Sequence, residues 1–67
     1  MYKFPERLKS LMVEFNVNQV QLSKETKISQ ATIARWLANQ RIPTALSIIA
    51  LANYFKCSAD YLLGLSD

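Results

Sequence analysis

The 67-residue sequence is poor in the residues that metal sites, disulfides and imidazole catalysis require. It has no histidine, which excludes imidazole acid–base chemistry and histidine-ligated metals. Its one cysteine, Cys57, cannot form an internal disulfide, and we expect a small buried apolar side chain there rather than a redox centre. The five acidic residues are scattered and form no acid–base pair. We expect no enzyme activity, no cofactor and no small-molecule ligand.

Residues that break helices are also scarce, with one glycine and two prolines. Strands joined by tight turns need more of both, so the composition favours helices. The hydrophobic content of 51% suffices for the core of one small domain, residues 1–67. No apolar run reaches the roughly 18 residues of a membrane span, and no signal peptide is apparent. We therefore expect a cytoplasmic protein without a membrane partner. Lysine and arginine outnumber acidic residues by eight to five, a mild excess that suits an anionic partner.

Capping residues and apolar periodicity predict five helices. Their expected bounds are about 5–15, 19–26, 30–38, 45–55 and 59–63. Pro5 suits a first helical turn, Thr44 and Ser58 suit N-caps, and Asn39 and Gly64 suit the left-handed position after a helix. The side chains expected to face the core are Phe4, Leu8, Leu11, Met12 and Phe15 of the first helix, Val20, Leu22 and Ile28 around the second, Ile33, Trp36 and Leu37 of the third, and Ala45, Ile48, Leu51, Ala52 and Phe55 of the fourth.

The segment 18–39 is the most informative, because it holds two helical patterns with almost no linker. Asn18 with Gln21 is typical of a capping box, and Ser29 caps the next helix only a few residues after the first one ends. Helices joined so tightly cross at a large angle, and one of them is presented outward. The outward face of the third helix carries Gln30, Ala31, Thr32, Ala34 and Arg35. An amide, a guanidinium and small side chains fit the edges of base pairs, so the segment predicts a helix-turn-helix.

Residues 6–64 resemble the DNA-binding domain of the phage repressor and Cro family, the Xre-type regulators. The resemblance rests on Arg7-Leu8-Lys9, on Gln19-x-x-Leu22-Ser23, on Ile28-Ser29-x-x-Thr32-Ile33-x-x-Trp36, on Pro43, and on Ser58-x-Asp60-Tyr61-Leu62-Leu63-Gly64. The departures from the family pattern are Ser23 for alanine, Lys27 and Asn39 for glycines, Leu37 for glutamate, and Lys56-Cys57 for Gly-Val. The resemblance implies an all-α, compact five-helix repressor-like domain. It also implies sequence-specific DNA binding by a bacterial or phage transcriptional regulator. A repressor is the expected kind of regulator, and the expected location is the nucleoid.

Three residues on the outward face of the third helix are candidates for base contacts, and the resemblance places the first of them, Gln30, where family members reach into the major groove. Gln30 lies in the first turn, and its amide can pair with N6 and N7 of adenine. Arg35 lies one turn further on and can grip O6 and N7 of guanine, or alternatively a phosphate. Ala31 permits close approach and contact with a thymine methyl group. For Trp36, we expect burial in the core rather than base stacking.

Five more residues are candidates for phosphate contacts. Gln19 begins the second helix, where an amide side chain and the helix N-terminus can hold one phosphate together. The chain leaving the third helix should run beside the DNA backbone, which nominates Gln40 and Arg41, and Thr32 and Lys27 complete the set.

The fourth helix is apolar on more than its core stripe. Leu46, Ile49 and Ala50 lie where a solvated helix would carry charges, and Leu62 and Leu65 could extend the patch. We expect a weak homodimer through this surface on a palindromic double-stranded operator, since two-fold pairing places two recognition helices on successive major grooves. The alternatives are scattered exposed aliphatic side chains or a surface covered by a further domain.

A second function class remains open for the same fold. A small helical protein-interaction module, such as an antitoxin-like or anti-regulator partner, would keep these helices and bind a protein surface. Salt dependence of binding to duplex DNA separates the two classes.

Overall fold

The computed structural model describes residues 2–66 and places five α-helices there, with no strand among them. They are α1 (Phe4–Glu14), α2 (Gln19–Thr26), α3 (Gln30–Leu37), α4 (Ala45–Phe55) and α5 (Ala59–Leu63). The all-α prediction is confirmed. The first and third helices end one residue earlier than expected, because Phe15 (φ −91°, ψ 1°) and Ala38 (φ −87°, ψ 3°) have already left helical geometry.

Four of the five helices begin with a side-chain cap that accepts the backbone N–H three residues later. The pairs are Asn18–Gln21, Ser29–Thr32, Thr44–Ser47 and Ser58–Tyr61. The predicted capping box at Asn18 is only half formed. The amide Nε2 of Gln21 points along α2 and donates to Oε2 of Glu25 at 3.4 Å. Helix α1 has no side-chain cap and starts with proline in its first turn.

A residue in left-handed geometry follows every helix. The φ angles are 54° at Asn16, 62° at Lys27, 58° at Asn39, 57° at Lys56 and 80° at Gly64. Only the last of these is the residue type that adopts such angles without steric cost. Lys27 therefore forms the left-handed turn after α2 and bears the cost of its Cβ there.

All five helices contribute to one core. The fully buried side chains are Phe4, Leu8, Leu22, Ile33, Trp36, Leu51, Phe55 and Leu62. The ring of Trp36 is 1% exposed and meets Phe4 edge to face, with centroids 5.6 Å apart, so its predicted core position is confirmed. The indole Nε1 is buried and has no hydrogen-bond partner among residues 2–66.

Three side chains predicted for the core lie outside it. Phe15 is 42% exposed because α1 ends before it, although its ring packs edge-on against Phe55 at 5.2 Å. Val20 is 58% exposed because Leu22, about 200° further around α2, faces the core instead. Ala45 begins α4 in the exposed capping turn, and burial of that helix starts one turn later at Ile48.

The chain after α5 is attached to α1. Nη1 of Arg7 donates to the carbonyl oxygens of Tyr61 at 2.9 Å and Ser66 at 2.8 Å. The same guanidinium lies 4.3 Å from the centre of the Tyr61 ring, a cation–π distance. A Cβ at Gly64 would lie 2.9 Å from Cβ of Lys3, so glycine is required there by space as well as by φ. The two ends of the described chain are thus packed together.

Candidate nucleic-acid interface

The connection between α2 and α3 is short and held by hydrogen bonds. Oγ1 of Thr26 donates to the carbonyl oxygen of Leu22 at 2.7 Å and accepts the N–H of Ile28 at 3.4 Å. The N–H of Lys27 donates to the carbonyl of Ser23, which ends α2 in the left-handed turn. Ile28 then packs against the core. These contacts fix the angle between the two helices, and the predicted helix-turn-helix is confirmed.

Helix α3 separates cleanly into a buried side and an open side. Ile33 and Trp36 face the core. The exposed residues of the helix and its C-cap are Gln30, Ala31, Ala34, Arg35 and Ala38. The two long polar side chains therefore stand on a face that is otherwise lined by methyl groups, which leaves room for a close-fitting surface.

The basic side chains on this side of the molecule are not neutralised. Among residues 2–66, no ion pair and no side-chain hydrogen bond engages Arg35, Arg41 or Lys27. All three are exposed. Their charges and donors are therefore available to an external acceptor.

The structure brings Gln19 and Gln30 together. Both line one surface groove. The same groove is lined by the apolar side chains of Val13, Val17 and Val20. A ligand that contacts the start of α3 can thus also reach the start of α2.

Thr32, a candidate phosphate contact, also takes part in the cap of α3. Its N–H donates to Oγ of Ser29 at 3.1 Å, and Ser29 Oγ in turn donates to Oγ1 of Thr32 at 2.8 Å. Because the Ser29 proton occupies this bond, the Thr32 hydroxyl retains its own proton for another acceptor. The residue is half-buried, so that proton is available over a narrow range of directions.

Gln40 and Arg41 lie in a second surface pocket. Its other lining residues are Tyr2, Asn39 and Ile42. The participation of Tyr2 was not predicted, because no local pattern connects the start of the chain with the loop after α3. The one relevant signal was the aromatic pair at positions 2 and 4, which places a second ring beside a core phenylalanine.

Most of the residues predicted for a dimer surface are accessible. Leu46 is 78% exposed and Ile49 is 53% exposed, with Ala50 half-buried beside them. Leu65 is exposed beyond α5. Leu62 was wrongly assigned to this surface, since it is fully buried. Helix α5 is only five residues long and packs against both α1 and α4, so its middle apolar side chain is taken up by the core.

Three other features of the described chain bear on redox chemistry, metal binding and membrane insertion. Cys57 is half-buried against the core, and burial raises the pKa of its thiol, which keeps it protonated. Histidine is absent, and no group of three acidic or cysteine side chains among residues 2–66 is placed to hold a metal ion. No helix in that range is long and apolar enough to cross a membrane.

Comparison with known proteins assigns the class. A helix-turn-helix family model matches residues 8–62, which is most of the sequence. The chain belongs to this helix-turn-helix family.

Two relatives make the assignment more specific. Repressor protein C2 of Salmonella phage P22 is 29% identical over 58 residues, which cover 87% of this chain and 27% of the phage protein. The crystal structure of a transcriptional regulator from Listeria innocua superimposes with a TM-score of 0.88 at 27% identity, covering 100% of this chain and 63% of that one. The chain thus spans about a quarter of the phage repressor and under two thirds of the Listeria regulator. The resemblance to phage repressors noted in the sequence is confirmed.

Proposed function

We propose that this chain is the sequence-specific DNA-binding part of a transcriptional regulator, and that this regulator is a repressor. The observation that carries the proposal is the open face of α3, where Gln30 and Arg35 lie among alanines and form no side-chain hydrogen bond or ion pair within residues 2–66. A helix whose other side is anchored in the core by Trp36 presents that face rigidly. The two relatives, a phage repressor and a transcriptional regulator, support the same function.

In this proposal, α3 enters the major groove and reads bases through three residues. The Gln30 amide pairs with adenine, and the Arg35 guanidinium grips guanine through O6 and N7. Ala31 lies beside Gln30 and brings its methyl group against thymine. The small side chains of Ala34 and Ala38 let the helix approach closely enough for the two long side chains to reach the base edges.

Phosphate contacts hold the helix in register. Gln19, beside Gln30 in the same groove, contacts one phosphate together with the first amides of α2. Gln40 and Arg41 contact another from the loop after α3, and the Thr32 hydroxyl and Lys27 ammonium supply further donors. These contacts carry affinity without sequence preference, and the cationic ones make binding dependent on salt.

The decisive experiment is titration of the protein against random duplex DNA at two salt concentrations, followed by selection of bound sequences from a random pool. A DNA-binding module weakens steeply as salt rises and enriches a defined sequence. Absence of binding at both salt concentrations contradicts the proposal and favours the protein-interaction module. If binding depends on salt but no sequence is enriched, the proposed base contacts are contradicted, whereas DNA binding itself is not.

We further propose that two copies pair through α4 on a palindromic operator. Leu46, Ile49 and Ala50 form one stripe on a helix that carries no charged residue from Ala45 to Phe55. In a two-fold interface, the same stripe on a second copy meets it without burying an unpaired charge. Leu65 adds apolar surface after α5, whereas Leu62 is excluded because it is buried.

The ratio of affinities for a palindromic site and for an isolated half-site tests this pairing. Both affinities include the attraction between one domain and DNA, so a change in that attraction cancels in the ratio. Ile49→Glu should bring it close to the value for independent binding, whereas Val13→Glu, at an exposed apolar position on α1, should leave it unchanged. An unaltered ratio in Ile49→Glu, with sedimentation showing two copies per palindrome, would exclude α4 as the contact.

A further inference from the structure

A surface pocket beside the loop after α3 combines a residue from the start of the chain with residues of that loop. It is lined by Tyr2, Asn39, Gln40, Arg41 and Ile42. We propose that this pocket binds a phosphate of the DNA backbone and that the hydroxyl of Tyr2 is one of its donors. This inference rests on the proposed DNA-binding function and adds to it a residue from the start of the chain.

A chain of aromatic ring contacts explains how Tyr2 comes to lie near this loop. Its ring packs against Phe4, with centroids 6.3 Å apart and planes inclined by 36°. Phe4 is fully buried and meets Trp36 of α3 edge to face. Because α3 ends immediately after Trp36, the loop that follows begins next to this aromatic group. Tyr2 is itself 41% exposed, so its ring is anchored on one side and open on the other.

The side chains of the pocket retain their donors, whereas two of its backbone N–H groups, those of Asn39 and Gln40, are already engaged. The N–H of Asn39 donates to the carbonyl of Trp36 at 3.0 Å, and that of Gln40 donates to the carbonyl of Arg35 at 2.8 Å. In contrast, no hydrogen bond or ion pair within residues 2–66 uses the Tyr2 hydroxyl or the side chains of Asn39, Gln40 and Arg41. A phenol, two amides and a guanidinium therefore belong to residues that line one pocket, and none of them has a partner within residues 2–66.

This donor set matches a phosphate diester. Arginine, asparagine, glutamine and tyrosine all contact phosphate oxygens in protein–DNA complexes, and a charged acceptor strengthens each hydrogen bond. The loop is also tied to the reading helix, because Gln40 is bonded to the carbonyl of Arg35. A phosphate held in the pocket would therefore set the position of Arg35 relative to the bases. Partial burial raises the pKa of Tyr2, so its hydroxyl is a donor throughout the neutral range.

The variant Tyr2→Phe tests the contact because it removes the hydroxyl and keeps the ring against Phe4. We expect affinity to fall about tenfold, equally for operator and random duplex, as for loss of one hydrogen bond to a charged group. The salt dependence should be unchanged, since no charge is removed. Tyr61→Phe, which removes a phenol hydroxyl on α5 outside the pocket, is the matched control and should bind like the wild type.

Neutral methylphosphonates, substituted for one phosphate at a time in the operator, locate the contact. At the contacted phosphate the difference between wild type and Tyr2→Phe should shrink, whereas a folding defect would weaken binding equally at every position. Wild-type affinity in Tyr2→Phe, or a difference that persists at every position, overturns the inference and leaves the proposed function intact. Failure of the wild type to bind any duplex overturns the proposed function itself.

Discussion

The hydroxyl of Tyr54 on α4 donates a hydrogen bond to Oε1 of Glu25 on α2. The other oxygen of that carboxylate accepts from Nε2 of Gln21 one turn earlier. Glu25 thereby joins the first helix of the helix-turn-helix to α4. The hydrogen bond raises the pKa of Tyr54, and burial and the negative charge of Glu25 raise it further.

This connection predicts a loss of stability at alkaline pH. A folded pKa above the ordinary value of 10.0 means that the contribution of Tyr54 is complete below that pH and declines as pH rises through the folded pKa. Wild type should therefore lose thermal stability more steeply than Tyr54→Phe above about pH 10. Thermal unfolding followed by circular dichroism at several pH values measures the difference. Parallel curves for the two proteins would contradict the coupling.

Removal of the central aromatic ring should nearly unfold the protein. Trp36→Ala is expected to lower the free energy of unfolding by about 3–5 kcal/mol, a large part of the stability of a small domain. Urea denaturation followed by circular dichroism measures the loss. Trp36→Phe is the control, because it keeps a ring and removes the unpartnered indole Nε1, so its cost should be clearly smaller. Equal losses in both variants would show that ring packing is not the cause.

Two lysines in left-handed geometry offer sites for stabilisation. Replacement of Lys27 (φ 62°) or Lys56 (φ 57°) by glycine removes a steric cost of about 1–2 kcal/mol. This gain outweighs the roughly 0.5–1 kcal/mol by which glycine's entropy stabilises the unfolded state. Each Lys→Gly variant should therefore gain up to about 1 kcal/mol in chemical denaturation without DNA. Lys24→Gly, inside α2, should instead lose about 1 kcal/mol. A loss of stability in Lys27→Gly or Lys56→Gly similar to that in Lys24→Gly would contradict the inferred backbone strain.

Arg35 and Arg41, which form no ion pair within residues 2–66, should have different effects on DNA binding when replaced by alanine. Loss of Arg35 should relax preference at one operator position at a cost of about 1–3 kcal/mol, as the base contact proposed for it requires. Loss of Arg41 should weaken all sequences alike and reduce the slope of log affinity against log salt by about one. Titration of both variants against operator and random duplex at several salt concentrations distinguishes them. Identical behaviour would remove the distinction between a base-reading and a phosphate-holding arginine.

The sequence by itself determined the helices and the helix-turn-helix. A cap such as Ser29 bonds the N–H of Thr32 three residues later, so the start of a helix depends on neighbours within one turn. The apolar spacing of Ile33 and Trp36 likewise specifies a buried side of α3, and thereby its open side. These relations are local, and the structure agrees with them to within one residue at the helix ends.

Only the tertiary structure decided which apolar side chains stay exposed and which distant residues meet. Leu62 and Leu65 look alike in the sequence, but the packing of α5 against α1 and α4 buries the first and leaves the second in solvent. Tyr2 reaches the loop after α3 through a chain of ring contacts, Tyr54 bonds Glu25 across 29 positions, and Arg7 bonds Tyr61 across 54. Periodicity carries no information about such pairs, because it describes one helix at a time. The angles at which helices pack determine them.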